Sequence, residues 1–376
     1  SFLDLLQCNK ASPKGVSMWN RREWARVGTG MVLAAALPAV GGRRALAASE
    51  PEPASPPPGA PRIVIGVDNK SAFCYLPLTV AERLGYFALE GLDVQVRDFT
   101  DAQQALQAFL GGSIQVLSGP YSNLIQLQLR GLSYQSIVLQ GRAPQIGLGI
   151  SLRTLANYRG LGDLRGRRMA IMAAGSGSHR VARLLLSRAG VGEGQVQMVP
   201  MTQPAAAVAA FRAGQVDAIC YTDPVITLLE HDGLLRLVAD TRSVRGNAQV
   251  FGGPMPAGCL SASESFVSRE PEQCQALTHA MVHALKWLQT AGPADLISVV
   301  PERYFEGAQG DRAIYLAAFS RAREAWTPDG MMPEGGPATA VRMLAQFGDS
   351  AQLKKVVLER TFTNDFALKA KHRFRI

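Results

Sequence analysis

Residues 62–96 read RIVIGVDNKSAFCYLPLTVAERLGYFALEGLDVQV, and the fold is decided there. Ile63-Val64-Ile65-Gly66-Val67 is a short β-branched run ending in a polar loop, Asp68 to Ser71, which is the pattern of a strand. Pro77 to Leu84 reads as a helix stopped by Gly85, and Leu92 to Val96 is a second apolar run. A strand, a helix and a strand in such close succession form a βα unit, whose strands pair in parallel.

The alternation continues downstream. Ala102 to Leu110 has helical spacing and ends at Gly111-Gly112, a C-cap signal. Ile114 to Leu117 reads as a third strand, Tyr121 to Leu129 as a helix closed by Gly131, and Ser136 to Leu139 as a fourth strand. A second series follows: strand Met169 to Met172, helix Ser178 to Ala189, strand Val196 to Val199, helix Ala205 to Arg212, strand Ala218 to Tyr221. After Leu260 the pattern is helical, over 271–290, 312–325 and 338–347. The chain therefore reads as two α/β sections followed by helices that must pack on one of them.

Upstream, Glu50 to Pro61 reads EPEPASPPPGAP, a proline-rich linker unable to form helix or central strand. Residues 1–47 carry seven Lys/Arg against two acids. From Met18 the order is Arg21-Arg22, an apolar stretch from Val27 to Val40, and a small-residue site at Ala45-Leu46-Ala47. This is the layout of a cleavable export signal, and the paired arginines suggest the twin-arginine route. The apolar stretch falls short of the roughly 20 residues of a membrane span. Without residues 1–47 the formal charge drops from +9 to +4. That modest positive field suits a small anion and argues against nucleic acid.

Cys74, Cys220, Cys259 and Cys274 show no C-x-x-C spacing, which disfavours zinc; spacing alone assigns no disulfide, and buried free thiols are the simpler reading. His279 and His283 stand four apart with no glutamate between them, so they read as helix surface rather than metal ligands. No metal, cofactor or catalytic constellation is expected.

In open parallel sheets ligands bind at the carboxyl ends of strands. The loops there hold Asn69, Ser71, Phe73, Tyr75, Thr100, Ser118, Gly119, Tyr121 and Gln140 in the first section. In the second they hold Gly175, Ser176, Gly177, Ser178, His179, Tyr221 and Asp223. The run Gly175-Ser176-Gly177-Ser178-His179 follows a strand and opens a helix, where free backbone N–H groups and the positive dipole end favour an anion. Arg180 breaks any dinucleotide fingerprint there, and a tight strand-to-helix turn without a ligand is the alternative. Phe73, Tyr75, Tyr121 and Tyr221 can clamp a ring. Asp223 can read a ligand amine, or can cap the helix that begins at Pro224.

Gly85-Tyr86-Phe87-x-x-Glu90-Gly91-Leu92-Asp93-Val94 resembles the signature of ABC-importer solute-binding proteins for nitrate, alkanesulfonate, taurine and thiamine-pyrimidine uptake. Ala105-Leu106, Asp163-Leu164-Arg165-Gly166, Phe211-x-x-Gly214-x-Val216-Asp217 and Phe266-Val267 continue the likeness in order. The resemblance implies a type II periplasmic binding protein fold, α/β throughout. Its two lobes would be joined by two crossovers, near residues 150 and 256, with a ligand cleft between them. Lobe 1 would be 62–150 plus 257–376, and lobe 2 would be 151–256. It further implies a periplasmic monomer that hands a small organic anion, or alternatively a thiamine-pyrimidine precursor, to a membrane permease. A related fungal pyrimidine synthase is an enzyme, but Tyr75 stands where its histidine would be and Cys259 stands alone in place of its cysteine cluster. A periplasmic sensor is the remaining alternative.

Overall fold

The computed structural model describes residues 55–99, 101–348 and 350–376. The export-signal reading, the linker up to residue 54 and Thr100 lie outside the described residues.

The opening βα unit forms as its sequence dictates. β1 (Arg62–Asp68) and β2 (Asp93–Phe99) pair in parallel, Ile63 opposite Val94 and Ile65 opposite Val96. Between them runs the helix Leu76–Arg83, whose apolar side chains are buried. Gly66 keeps the next layer close. A Cβ there would sit 2.2 Å from Cδ1 of Ile114, so Ile114 fills the space a side chain would need. Ile114 lies in a small cluster with Phe109 and Leu117. Pairing of the third strand accordingly begins later than the apolar run suggested, and β3 is Val116–Pro120.

Two five-stranded mixed sheets result. The first has the order β2-β1-β3-β10-β4, with β4 at Tyr134–Leu139 and β10 at Gly258–Ser263. β10 runs antiparallel to both β3 and β4. The second has the order β7-β6-β8-β5-β9, from β5 (Ile146–Ser151), β6 (Arg168–Ile171), β7 (Gln197–Pro200), β8 (Ala218–Thr222) and β9 (Leu235–Asp240). β5 is antiparallel to β8 and β9.

The first crossover therefore spans 140–145, earlier than residue 150, because Ile146–Ser151 is paired entirely within the second sheet. The return crossover spans 241–257. Gly147 and Gly149 let β5 lie between its neighbours: a Cβ on Gly149 would be 2.4 Å from Cγ of Leu235.

The C-terminal helices are anchored on the first lobe. Pro271–Thr290 buries Leu277, Met281, Leu285 and Leu288 and packs on Leu76–Arg83, β4 and the last helix, Asp365–Phe374. They also reach the second lobe. Arg321 pairs with Glu230 at 2.5 Å, Arg212 donates to Gln309 at 2.7 Å, and the Arg183 guanidinium lies 4.6 Å from the Phe347 ring centre. Among the described residues no helix is long and apolar enough to cross a membrane.

Candidate functional site

The carboxyl ends of the two parallel strand sets meet. Asp68 ends β1 in the first lobe; Arg180 stands in the first turn of the helix Gly177–Arg188 that follows β6 in the second. They lie close enough for the Asp68 charge and the Tyr75 hydroxyl to act on the guanidinium, whose pKa burial nevertheless holds below its usual range. No described acid pairs with Arg180. A half-buried cation without a partner is disfavoured unless something else supplies the negative charge.

The turn before Arg180 is built by its own polar groups. Gly175 takes a left-handed backbone (φ +76°), and its N–H donates to Nδ1 of His179 at 2.9 Å. That bond fixes His179 as a neutral imidazole with its proton on Nε2, in keeping with a pKa lowered by burial and by Arg183 and Arg180. Ser176 caps the helix, its Oγ accepting from His179 N at 3.3 Å and donating to Ala173 O at 2.7 Å. Ser178 Oγ accepts from Met172 N at 3.0 Å. Both hydroxyls are therefore occupied. The backbone N–H groups of Gly177 and Ser178, at the first two helical positions, have no acceptor in the protein and point with the positive end of the helix dipole.

On the facing lobe, Tyr75 donates to Oδ1 of Asp68 at 2.8 Å. Burial pushes the Asp68 carboxyl up to about 6, the Tyr75 hydrogen bond offsets part of this, and Asp98 and Asp101 push it further. Lys70 is no counter-ion for it, since it is buried against Glu82. Ser71 donates to Asn69 at 2.7 Å, Asn69 having a positive φ of 55°. Gln140 donates to Ser118 at 2.9 Å, both being buried, and Gly119 pairs with Cys259 in the sheet.

The aromatic clamp does not form. Phe73 is a core residue, its ring 4.7 Å from that of Tyr315 and its carbonyl accepting from Trp326 Nε1. The Tyr121 hydroxyl is bonded to Thr361 and that of Tyr221 to the carbonyl of Met201, with both rings buried. Of the four rings only Tyr75 touches the charged gap. Asp223 is likewise internal. Its fully buried carboxylate pairs with Arg242 at 3.2 Å and accepts from the N and Oγ1 of Thr227, each at 2.9 Å. Arg242, with only 2% of its side chain exposed, also holds Glu230 and Asp240. Asp223 thus caps its helix and neutralises a buried guanidinium, leaving no free oxygen for a ligand amine.

A family model described as the NMT1-like family matches residues 65–300. The chain belongs to that family. A solved protein from Bordetella bronchiseptica RB50 is 41% identical and superposes with TM-score 0.77, covering 84% of this chain and 98% of that one. Among more distant structures, the alkanesulfonate-binding protein SsuA of Xanthomonas axonopodis pv. citri, solved bound to MOPS, is 20% identical. It aligns over 84% of this chain and 99% of its own at TM-score 0.59. The nitrate-binding protein NrtA of Synechocystis PCC 6803 is 13% identical at TM-score 0.62, over 83% of this chain and 88% of its own. A Brucella abortus (strain 2308) relative that bears the name of a binding protein is 27% identical over 224 residues, which is 58% of this chain and 65% of that protein. The alignment thus spans a little under two thirds of the curated relative. The two-lobed periplasmic-binding-protein fold is common to these structures and to this NMT1-like chain.

Two residues of this candidate site, Arg180 and Asp68, carry little signal in the sequence. Arg180 was noticed only as the residue that spoils a glycine fingerprint, although a cation one turn into a helix that follows a Gly-Ser loop is itself an anion signal. Asp68 was read as the start of a loop; nothing local marks it as the carboxylate that faces the other lobe.

Proposed function

We propose that this chain is the solute-capturing component of an ABC importer, working outside the cytoplasmic membrane, and that it closes its lobes on a small organic anion. The observation that carries the reading is Arg180, half-buried and without an acid of its own, in the same helical turn as the acceptor-free N–H groups of Gly177 and Ser178. A guanidinium in the first turn of a helix whose first two N–H groups lack acceptors suits a carboxylate or sulfonate. The family, the fold and the names of its relatives support the same reading. A membrane permease is the partner this role requires. The precursor-pyrimidine reading leaned on Asp223 as the amine reader, and Arg242 now occupies that carboxylate.

The test is Arg180→Ala. A charge-assisted hydrogen bond contributes about 1.5–3 kcal/mol, so affinity for organic sulfonates and carboxylates should fall by about ten- to 150-fold in calorimetric titration. The melting temperature should hold or rise, because a half-buried cation without a partner is removed. Unchanged affinity for every acid that the unsubstituted protein binds would refute the site.

A further inference from the structure

The second sheet has another end, opposite the strand ends that lead to the candidate site. Met169 of β6 and Ile150 of β5 both lie opposite Ala218, and Ile150 also lies opposite Arg236 of β9. The amino ends of β6, β8 and β9 and the carboxyl end of β5 therefore share one edge. The loop 152–167 leaves that edge at β5 and returns to it at β6, so it runs across the end of the lobe. Six exposed arginines collect there: Arg153, Arg159, Arg165 and Arg167 in the loop, Arg168 opening β6, and Arg236 in β9. None of the six forms an ion pair with a described carboxylate. The acids of the same end are engaged elsewhere. Asp163 accepts from the N–H groups of Arg159 and Gly160 at 2.7 and 3.2 Å, and the buried Asp217 accepts from the N–H of Arg168 at 3.0 Å. Glu193 pairs with Arg183 and Asp232 with Arg212.

Four of the guanidiniums are held by backbone carbonyls. Arg153 donates to Arg212 O at 2.9 Å, Arg168 to Gly214 O at 3.2 Å, Arg165 to Gly190 O at 2.9 Å and Arg236 to Tyr158 O at 2.9 Å. Three of these carbonyls stand at or just past the ends of the helices Gly177–Arg188 and Pro204–Arg212, where a cation is favoured. Capping them uses one or two of the five N–H groups on each guanidinium. What remains is a fixed positive face, with Leu152, 41% exposed, among the arginines. Like charges gathered in this way repel one another, and an external anionic surface relieves that repulsion.

We propose that this end of the second lobe rests on an anionic phospholipid surface, its arginines on the phosphates and Leu152 in the headgroup layer. Residues 146–240 hold no lysine, so the charge is guanidinium throughout, the group whose planar fork matches phosphate oxygens. The charges are spread along a sheet edge and the loop across it rather than around one point. That spread suits an extended phosphate-bearing surface better than a single small ion. The inference is independent of which solute is captured. Because the carboxyl ends of β6 and β8 lie at the opposite end of the sheet, a molecule standing on this face holds its candidate site away from the bilayer and open to solute. The face thus keeps the protein beside the membrane while it waits for a ligand.

The test is vesicle co-sedimentation of the chain from Ser49, a compact unit that contains both sheets. Phosphatidylcholine vesicles with about 30% phosphatidylglycerol should bind it at about 0.05 M salt and release it at about 0.5 M, and pure phosphatidylcholine should not bind it. Arg159→Gln with Arg167→Gln removes two of the six charges without touching the four guanidiniums that cap carbonyls, so the fold is kept. Each arginine near such a surface contributes about fivefold, so affinity should fall about 25-fold. Lys354→Gln with Lys355→Gln is the control. These exposed lysines stand just before Val357, which is bonded to Gln128 of the first lobe, and affinity should change by less than about twofold. Equal loss in the two double variants, no loss in the first, or no binding to the anionic vesicles overturns the proposal. Tighter binding to soluble polyglutamate than to those vesicles would make an acidic protein the partner and would likewise overturn it.

Discussion

Replacing Arg242 by methionine tests whether Asp223 is structural. The guanidinium is 2% exposed and makes bonds of 2.8 Å to Asp240, 3.0 Å to Glu230 and 3.2 Å to Asp223. Asp240 and Glu230 retain some contact with water, so losing Arg242 costs them little. Asp223 has none, and among the described residues Arg242 is its only cation. Removing one partner of a buried pair typically costs about 3–5 kcal/mol. For a chain of this size that is a fall of about 4–7 °C in melting temperature. The pH dependence is specific. Burial already raises the Asp223 carboxyl, and Arg242 is the main influence drawing it down. Without Arg242 its folded pKa stands still further above the unfolded value, so the folded variant takes up a proton that the unfolded chain does not. Its deficit relative to the unsubstituted protein must therefore shrink as pH falls from 7.5 to 5. Urea denaturation at the two pH values is the assay. A loss below about 1 kcal/mol at pH 7.5, or a deficit equal at both pH values, would refute the assignment of Asp223 to the interior.

Gly246→Ala should destabilise by about 2–3 kcal/mol in the same assay, because its Cβ would stand 1.9 Å from the carbonyl oxygen of Asp240, a backbone atom that cannot step aside. A loss under about 0.5 kcal/mol would mean the start of the helix Val244–Phe251 is looser than described. The four described thiols are free, and burial pushes those of Cys74, Cys259 and Cys274 up to about 12 and Cys220 higher still. Iodoacetamide at pH 8 should therefore leave Cys220, Cys259 and Cys274, which are buried, unmodified by peptide mass spectrometry until denaturant is added; rapid alkylation of any of these three in the native protein would contradict its burial.

The parallel βα units were legible because their strands are β-branched runs with a glycine or polar stop, as in 62–68 and 93–99. The two antiparallel strands, β5 and β10, and the strand β9 were not. Ile146–Ser151 reads IGLGIS and Gly258–Ser263 reads GCLSAS; their small residues look like loop, and they become strands only because neighbouring sheets already offer edges. Leu235–Asp240 is more apolar, but the helix before it, Val225–His231, has only seven residues. At the site, the Gly-Ser turn was placed correctly beside the strand end. The rings were over-read, because a tyrosine near a strand end serves equally well as core when a partner such as Thr361 or Met201 O, far away in sequence, receives its hydroxyl. Arg242 shows the same limit, since its three carboxylates come from three separate elements.

The position of β10 carries a consequence for the order of assembly. β5 to β9 are all drawn from residues 146–240, so the second sheet can be completed from one uninterrupted stretch of chain. The first cannot: β3 and β4 are held together only through Gly258–Ser263, more than a hundred residues later. A ribosome emitting this polypeptide releases the early strands first but must finish the entire inserted section before they can close. Such long-range pairing is slow and leaves open strand edges in the meantime. The nascent first lobe is thus the place where a holding chaperone would act, and the second lobe is the natural candidate to become protease-resistant first.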